Sequence, residues 1–348
     1  MNTKQLMIYG AYGYTGELIA REAVAQNLHP ILAGRNAGRL VKLAGELDLY
    51  HRAFDLAHPQ LEDVGVVLNC AGPFSATAAP MMQACLQAKA HYIDITGEID
   101  VFELGKTLDA AAKAAGIVIC PGVGFDVIPT DCVALALHQA LPDATHLALG
   151  FETNSAMSPG TSKTSVEALG KGGKVRRDGK IVTVPMGTVT RRIDFSGSGA
   201  KLAMEFPWGD VSTAHFTTSI PNISVFLAVP AGLLWGARIG NFLTPILNLP
   251  AVQNFLMRKA GEVIGPDAQT RAATPCFVWG EARNAAGVTK TARIRTANGY
   301  DVTVYGALKV AQALLASGQT ASGYFTPSLL CGANLIETLP GSGPLSLA

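Results

Sequence analysis

The stretch "GAYGYTG", Gly10 to Gly16, follows the short apolar run "QLMIY" and precedes "ELIAREAVAQN", where Leu18, Ile19 and Val24 recur at helical spacing. Nothing else in the chain restricts its fold so tightly. Three glycines spaced three apart between a buried strand and a helix are what a dinucleotide-binding turn requires. Gly10 permits the tight turn. Gly13 lets backbone N–H groups approach a pyrophosphate with no Cβ in the way, and Gly16 lets the helix pack close to the strand. The positive end of the helix then faces the phosphates.

The next segments continue the alternation. "HPILAGRN" reads as a second strand, "HRAFDL" as a third and "VGVVLNCAGPF" as a fourth. The helix "APMMQACLQAKA", the strand "HYIDIT", the helix "VFELGKTLDAAAKAAG" and the strand "IVICPG" follow. Strands alternating with helices imply a parallel sheet with right-handed crossovers. The expected fold class is α/β, a Rossmann-type doubly wound sheet. After about residue 130 the alternation stops. A helix, "DCVALALHQAL", leads into β-type stretches "ATHLALGFET", "KIVTVPMGTVTRRIDF", "AHFTTSI" and "TKTARIRTANGYDVTVYGA", divided by turn signals such as "RRDGK" and "NGY". A helix "LKVAQALLAS" and a Gly/Pro-rich tail close the chain. A second α+β domain with an open mixed or antiparallel sheet is expected there.

The end of the second strand points to a cofactor. A site for NAD usually ends that strand with an acid that holds the ribose hydroxyls. Here Gly34, Arg35 and Asn36 stand in that place, and Arg39 follows four residues after Arg35. A guanidinium without an acid suits a 2′-phosphate, so the expected cofactor is NADP. Candidate cofactor contacts are Gly10, Tyr12, Gly13, Tyr14, Thr15 and Gly16 in the turn, and Arg35, Asn36 and Arg39 after the second strand. Asp55 ends the third strand near an adenine position. Cys70, Ala71 and Gly72 follow the fourth, where backbone can pass close to a nicotinamide.

Charge and cysteines exclude other classes. The net charge of +1 gives no electrostatic case for nucleic acid. The six cysteines form no CxxC, and the seven histidines form no HxH or HxxxH, so no metal is expected. Lys4 runs straight into the first strand, and with scattered thiols this gives a cytoplasmic expectation without a cleaved leader. From Phe216 to Ala237 the chain carries no charge, long enough in principle to span a bilayer. Pro221, Pro230 and a polar first half argue against a span. Core or substrate-lid packing is the expectation, and attachment to a membrane surface stays open.

"GAYGYTG", "AGRN", "NCAGPF", "HYIDITGE" and "PGVGFDVIPTD", in this order and at these spacings, resemble the saccharopine dehydrogenase-like (saccharopine reductase-like) oxidoreductases, including their short bacterial members called trans-acting enoyl reductases. "SPGTSKTSVEAL", "PWGDVSTAHFTTSIPNISVF" and "GYFTPSLLCG" extend the resemblance over nearly the whole chain. It implies an NAD(P)-binding Rossmann domain over 1–128 and an α+β substrate and dimerisation domain over 129–305. A C-terminal segment, 306–348, would pack back on the Rossmann domain. It also implies a homodimer acting on a small molecule held between the domains. The chain departs from the lysine-pathway enzymes in being shorter and in lacking an evident arginine set for several carboxylates. Lys171, Lys174, Arg176, Arg177, Arg191 and Arg192 flank a predicted hairpin turn and read as a solvated edge.

The expected activity is NADP-dependent reduction of a C=N, C=C or C=O bond in a small, largely apolar metabolite. The alternative is a nucleotide-binding sensor of the same fold without turnover. Residues at the C-terminal ends of the parallel strands are the catalytic candidates. Glu98 and Asp126 are possible acids if burial raises a pKa. Each has a competing role as a helix cap, Asp126 for the helix around "PTDCVALAL" and Glu98 for the helix after it. Phe74 and Phe125 are candidate substrate contacts.

Overall fold

The computed structural model describes residues 4–169, 171–316 and 320–348. The chain divides into two compact units. The first comprises Met1–Ile128 and Tyr300–Cys331, the second Pro129–Gly299 and Gly332–Ala348.

The first unit is built on a seven-stranded parallel sheet. Its strands are β1 (Gln5–Tyr9), β2 (Ile31–Gly34), β3 (His51–Ala53), β4 (Val64–Asn69), β5 (His91–Asp94) and β6 (Val118–Cys120), with a two-residue strand Gly323–Tyr324 beside β6. The spatial order, from β3 through β2, β1, β4 and β5 to β6, is that of a doubly wound dinucleotide fold. Covered on both faces, such strands are continuous apolar runs rather than alternating ones. Met7, Ile8, Val66, Val67 and Leu68 are fully buried accordingly. Each such side chain contributes about 1.5–3 kcal/mol by leaving water. The helices that matter for the site are α1 (Tyr14–Ala25), α2 (Ala37–Leu47), α3 (Phe74–Ala88) and α4 (Ile99–Thr107).

The second unit carries a nine-stranded mixed sheet. Its strands are β7 (Ala144–Glu152), β8 (Gly173–Arg177), β9 (Lys180–Val184), β10 (Thr190–Ile193), β11 (Lys201–Glu205), β12 (Asn222–Ala228), β13 (Cys276–Asn284) and β14 (Thr289–Thr296), closed at one edge by Ser346–Leu347. β7 lies between β12, parallel to it, and β13, antiparallel. Ile193, Phe195, Ala203, Phe226 and Trp279 form a core cluster on this sheet. The helix Ile128–Ala140 packs on β13 at Gly280, where any Cβ would meet Val133 and Leu137. The "RRDGK" turn is a hairpin, with Asp178 and Gly179 both at positive φ and Arg177 opposite Lys180.

Three segments differ from their sequence patterns. "AHFTTSI" lies in a helix, Asp210–Thr218, although its β-branched residues read as a strand. Thr218 Oγ1 donates back to the Ala214 carbonyl and Thr217 Oγ1 donates to Asp131 at 2.5 Å, so tertiary contacts override propensity. "GYDVTVYGA" likewise opens the 17-residue helix Gly299–Leu315 instead of continuing a strand. The C-terminal stretch is also divided. Tyr300–Cys331 joins the first unit, whereas Gly332–Ala348 lies in the second, where Ser346 and Leu347 hydrogen-bond along β14.

Candidate functional site

The loops after β1 and β4 meet where the sheet order reverses, the place at which such sheets bind ligands. Gly10 has φ +83°, and a Cβ there would lie 2.8 Å from the Ala71 nitrogen and 2.9 Å from the Cys70 carbonyl carbon. Only glycine fits. A Cβ on Gly16 would strike the Gly10 carbonyl, so the third glycine sets how closely α1 approaches the turn. Gly13 caps α1 in extended conformation and supplies no side-chain cap. The helix N-terminus is thereby shaped for an anion.

Beyond β2, Tyr12 organises the surface. Its ring lies against Gly34, where a Cβ would come within 2.7 Å of Tyr12 Cε1. The Asn36 backbone N–H donates to Tyr12 Oη at 3.2 Å. The Arg39 guanidinium sits 4.6 Å from the ring centroid and donates to the Tyr12 carbonyl at 2.8 Å. Asn36 caps α2, its Oδ1 accepting from Arg39 N. Arg35 and Arg39 are both exposed at the end of β2. Asp55 folds onto its own loop, accepting from Ala57 N and His58 N at 3.0 Å each. Tyr14 makes an edge-on contact with Tyr300, their centroids 5.1 Å apart. Thr15 is half-buried in the first turn of α1.

The loop after β4 is fixed by a buried polar network. Asn69 Oδ1 accepts from Ala71 N at 3.0 Å, and its Nδ2 donates to Thr77 Oγ1 at 3.1 Å. Thr77 Oγ1 in turn donates to the Ala71 carbonyl. Asp94, fully buried at the end of β5, accepts from Tyr92 Oη at 2.7 Å, Thr96 N at 3.0 Å and Gly122 N at 2.8 Å. Burial pushes the Asp94 carboxyl up to about 6 despite these donors. Burial likewise holds the Cys70 thiol far above its ordinary range. Asn69, Thr77, Tyr92 and Asp94 escaped the sequence reading. For Asn69 and Asp94 the only signal was a polar residue ending an otherwise apolar strand.

Glu98 and Asp126 are brought together around Gly97. Glu98 does not cap α4 with its side chain. Its carboxylate instead reaches back to α3, accepting from Phe74 N at 3.0 Å and Ser75 N at 2.7 Å. The Asp126 carboxyl is wedged against Gly97, where a Cβ would lie 2.7 Å from Oδ2. Burial first, and the Glu98 negative charge second, push Asp126 up to about 7. A carboxyl in that range exchanges a proton near neutrality, as a general acid must. Phe74 and Phe125 are both nearly buried, and Phe125 N donates to Thr303 Oγ1 at 3.0 Å. Their rings belong mostly to the packing around the loops.

In the second unit, a cavity of about 360 Å³ opens on the sheet, lined by polar residues including His146, Arg177, Arg191, Glu205, Glu281 and Arg283. The basic cluster is a solvated edge only in part: Lys171, Arg177 and Arg192 are exposed, but several of its arginines are engaged. Arg176 is buried, donating to the Val211 and Gly179 carbonyls. Arg177 pairs with buried Glu205 at 3.4 Å. Arg191 pairs with Glu281 at 2.9 Å and lies over the rings of Phe226 and Trp279. Sequence proximity to a turn concealed this, because the acidic and aromatic partners come from distant strands. No group of three or more His, Cys, Asp or Glu is placed to hold a metal among the described residues.

Residues 6–120 match the saccharopine dehydrogenase NADP binding domain family. The chain is 31% identical over 154 residues to a saccharopine dehydrogenase-like oxidoreductase of Homo sapiens, covering 36% of this chain and 35% of that one. It is 27% identical over 221 residues to the Bos taurus protein of the same description, covering 52% and 50%. Against a trans-acting enoyl reductase of Mycobacterium ulcerans it is 31% identical over 146 residues, covering 36% and 34%. The chain thus spans a third to half of the length of these relatives. Its fold matches that of apo saccharopine dehydrogenase (L-Glu forming) from Saccharomyces cerevisiae with a TM-score of 0.64 at 12% identity, over 99% of this chain and 100% of that one.

Proposed function

With residues 6–120 belonging to the saccharopine dehydrogenase NADP-binding family, we propose that the protein is an NADP(H)-dependent oxidoreductase reducing a polarised C=N, C=C or C=O bond. The observation that carries this reading is the placement of two carboxyls: Asp126, its pKa raised by burial, lies against Gly97, next in sequence to the Glu98 that holds the start of α3. The bound nicotinamide supplies the hydride. Gly10, Gly13 and Gly16 with the α1 N-terminus hold the pyrophosphate, and Arg35 and Arg39 hold the 2′-phosphate. Ala71 and Gly72, fixed by Asn69 and Thr77, offer backbone to the nicotinamide end. Asp126 gives its proton to the heteroatom or carbon left electron-rich by hydride addition and is left as carboxylate. Glu98 positions the Phe74 loop and, second to burial, helps raise the Asp126 pKa.

The substrate in this reading is largely apolar. The arginines of the second unit support it, because Arg176, Arg177 and Arg191 are already committed to carbonyls or glutamates of the protein. A ligand with several carboxylates would need unpaired cations to offset its desolvation. The test follows NADPH oxidation with acyl or isoprenoid-like ketones and enoyl compounds against amino-dicarboxylate imines. Turnover of the first group is expected, with Asp126→Asn lowering kcat/KM by roughly 10²–10⁴ while NADPH affinity is unchanged. NADPH binding without turnover of either group would make the protein a nucleotide sensor. Preference for the imines, lost in Arg191→Ala, would restore a saccharopine-like substrate.

A further inference from the structure

The charge-free run beginning at Phe216 has two fates. Its first half is enclosed in the helix Asp210–Thr218 and in β12. Its second half, and the chain after it, lie on the surface as the helices Ala231–Phe242, Thr244–Leu247 and Pro250–Gly261. In the helix Ala231–Phe242, Leu234 faces inward, packing with Met204 and Val229, and Asn241 bonds both the N–H and the carbonyl of Met186. Trp235, Ile239 and Phe242, at i, i+4 and i+7, share the opposite face. Each is more than half exposed, and Phe242 is 85% exposed. Ile246 and Phe255 extend the same apolar surface character through the next two helices. So many exposed large side chains in one segment mark an interaction site rather than the scatter normal on a surface.

The charges identify what covers it. Between Asp210 and Glu262 there is no Asp or Glu, whereas Arg238, Arg258 and Lys259 all fall in that interval. Glu262 pairs with Lys259 at 2.8 Å, so the basic excess of the segment rests on Arg238 and Arg258. Arg238 lies 5.4 Å from the Trp235 ring centroid and Arg258 lies 5.6 Å from that of Phe255. Apolar tips, aromatic rings and flanking cations are the composition of a helix lying in the headgroup layer. A second copy of the chain is disfavoured, since a two-fold interface sets the same patch on both sides and would bring cation against cation. A span is excluded for these helices, because 12 residues reach only about 18 Å and prolines separate them. No helix among the described residues is long and apolar enough to cross a membrane.

We propose that the segment 231–264 docks the protein on an anionic lipid surface, its Trp235–Ile239–Phe242 face entering the headgroup region, Arg258 meeting lipid phosphates and Lys259 exchanging Glu262 for them. The docking is independent of the redox reading. The test is flotation of the full chain with phosphatidylcholine vesicles, with and without phosphatidylserine. Binding is expected on the phosphatidylserine vesicles and to weaken as salt rises. Trp235 emission shifts blue on binding, identified by the loss of that shift in Trp235→Phe. Ile239→Ser with Phe242→Ser, at exposed positions, lowers affinity at least roughly tenfold. Arg258→Ser with Lys259→Ser lowers it by about tenfold on anionic vesicles only. Unchanged circular dichroism and thermal melting certify that both double variants are folded. No flotation on either lipid, or flotation unchanged by Ile239→Ser with Phe242→Ser, overturns the proposal. A wild-type dimer in sedimentation that this variant converts to monomer, without lipid binding, assigns the face to a second copy instead.

Discussion

Helices α1 and α3 both begin at the switch point, one after β1 and one after β4. α1 starts behind Gly13 with no side-chain cap. α3 starts behind Pro73, and the Glu98 carboxylate lies on the N–H groups of Phe74 and Ser75. Both termini carry the partial positive charge of a helix start. One has been neutralised from within the chain and the other shaped by three glycines for something external. On the proposed reading the difference gives the site a direction: phosphates on the α1 side, and the reacting end on the side of the α3 loop.

The comparison can be broken most severely at Gly13. Its φ of −76° suits any residue and a Cβ there would press only on the Gly10 carbonyl oxygen, at 3.2 Å, so Gly13→Val should fold with a small shift of the turn, yet its side chain would occupy the approach to α1. Calorimetry should show NADPH affinity reduced on the order of a hundredfold, about 2.7 kcal/mol. Undiminished binding would place the phosphates elsewhere. Next in size is Arg35→Ala, which should weaken NADPH about tenfold, or about 1.4 kcal/mol, and leave NADH unchanged. Equal losses for the two nucleotides would remove Arg35 from the 2′-phosphate.

The α3 side is tested by Glu98→Gln, which keeps the shape of the cap and removes its charge. Thermal denaturation should show a loss of about 0.3–1 kcal/mol. The same change should lower the Asp126 pKa, since a neighbouring negative charge is one cause of its rise. The subtlest signature is in stability against pH. Folded Asp126 holds a proton that the unfolded chain releases, its carboxyl having moved from 3.8 to about 7. Its contribution is therefore complete below the lower value and is lost as pH rises through the upper one. Asp126→Asn should flatten that decline, and an unchanged profile would mean that the carboxyl is ordinary.

The glycine turn was legible because its causes are local. Gly10 and Gly16 collide with atoms a few residues away or with the adjacent strand end, and strand–turn–helix spacing announces them. The doubly wound order followed from alternation alone. Glu98 illustrates the limit: its helix-capping chemistry was recognised, but the helix it serves starts 24 positions earlier, and nothing local selects α3 over α4. Asn69 and Asp94 were hidden in part for the same reason: besides near neighbours, Asn69 meets Tyr92 of β5 and Asp94 meets Gly122 after β6. In the second unit, Thr217 and Thr218 carried strand propensity into a helix, because contacts with Asp131 and the helix backbone decide there. Arg191 passed for a solvated charge until Glu281, 90 positions later, was placed beside it.

Tyr12 lying flat on Gly34 has a consequence for how coenzyme preference can change. The acid that would favour NAD belongs at the end of β2, yet a side chain at position 34 would have to evict the Tyr12 ring. Eviction breaks the hydrogen bond from Asn36 N and removes the platform on which Arg39 rests. Acid and guanidinium are therefore alternatives of one interlocked arrangement rather than independent substitutions. Gly34→Asp alone should lose the old coenzyme without gaining the new one, and only together with a smaller residue at Tyr12 should the exchange succeed. On the proposed NADP reading, a lineage that places the acid at position 34 must take both steps nearly at once, which slows that route of exchange.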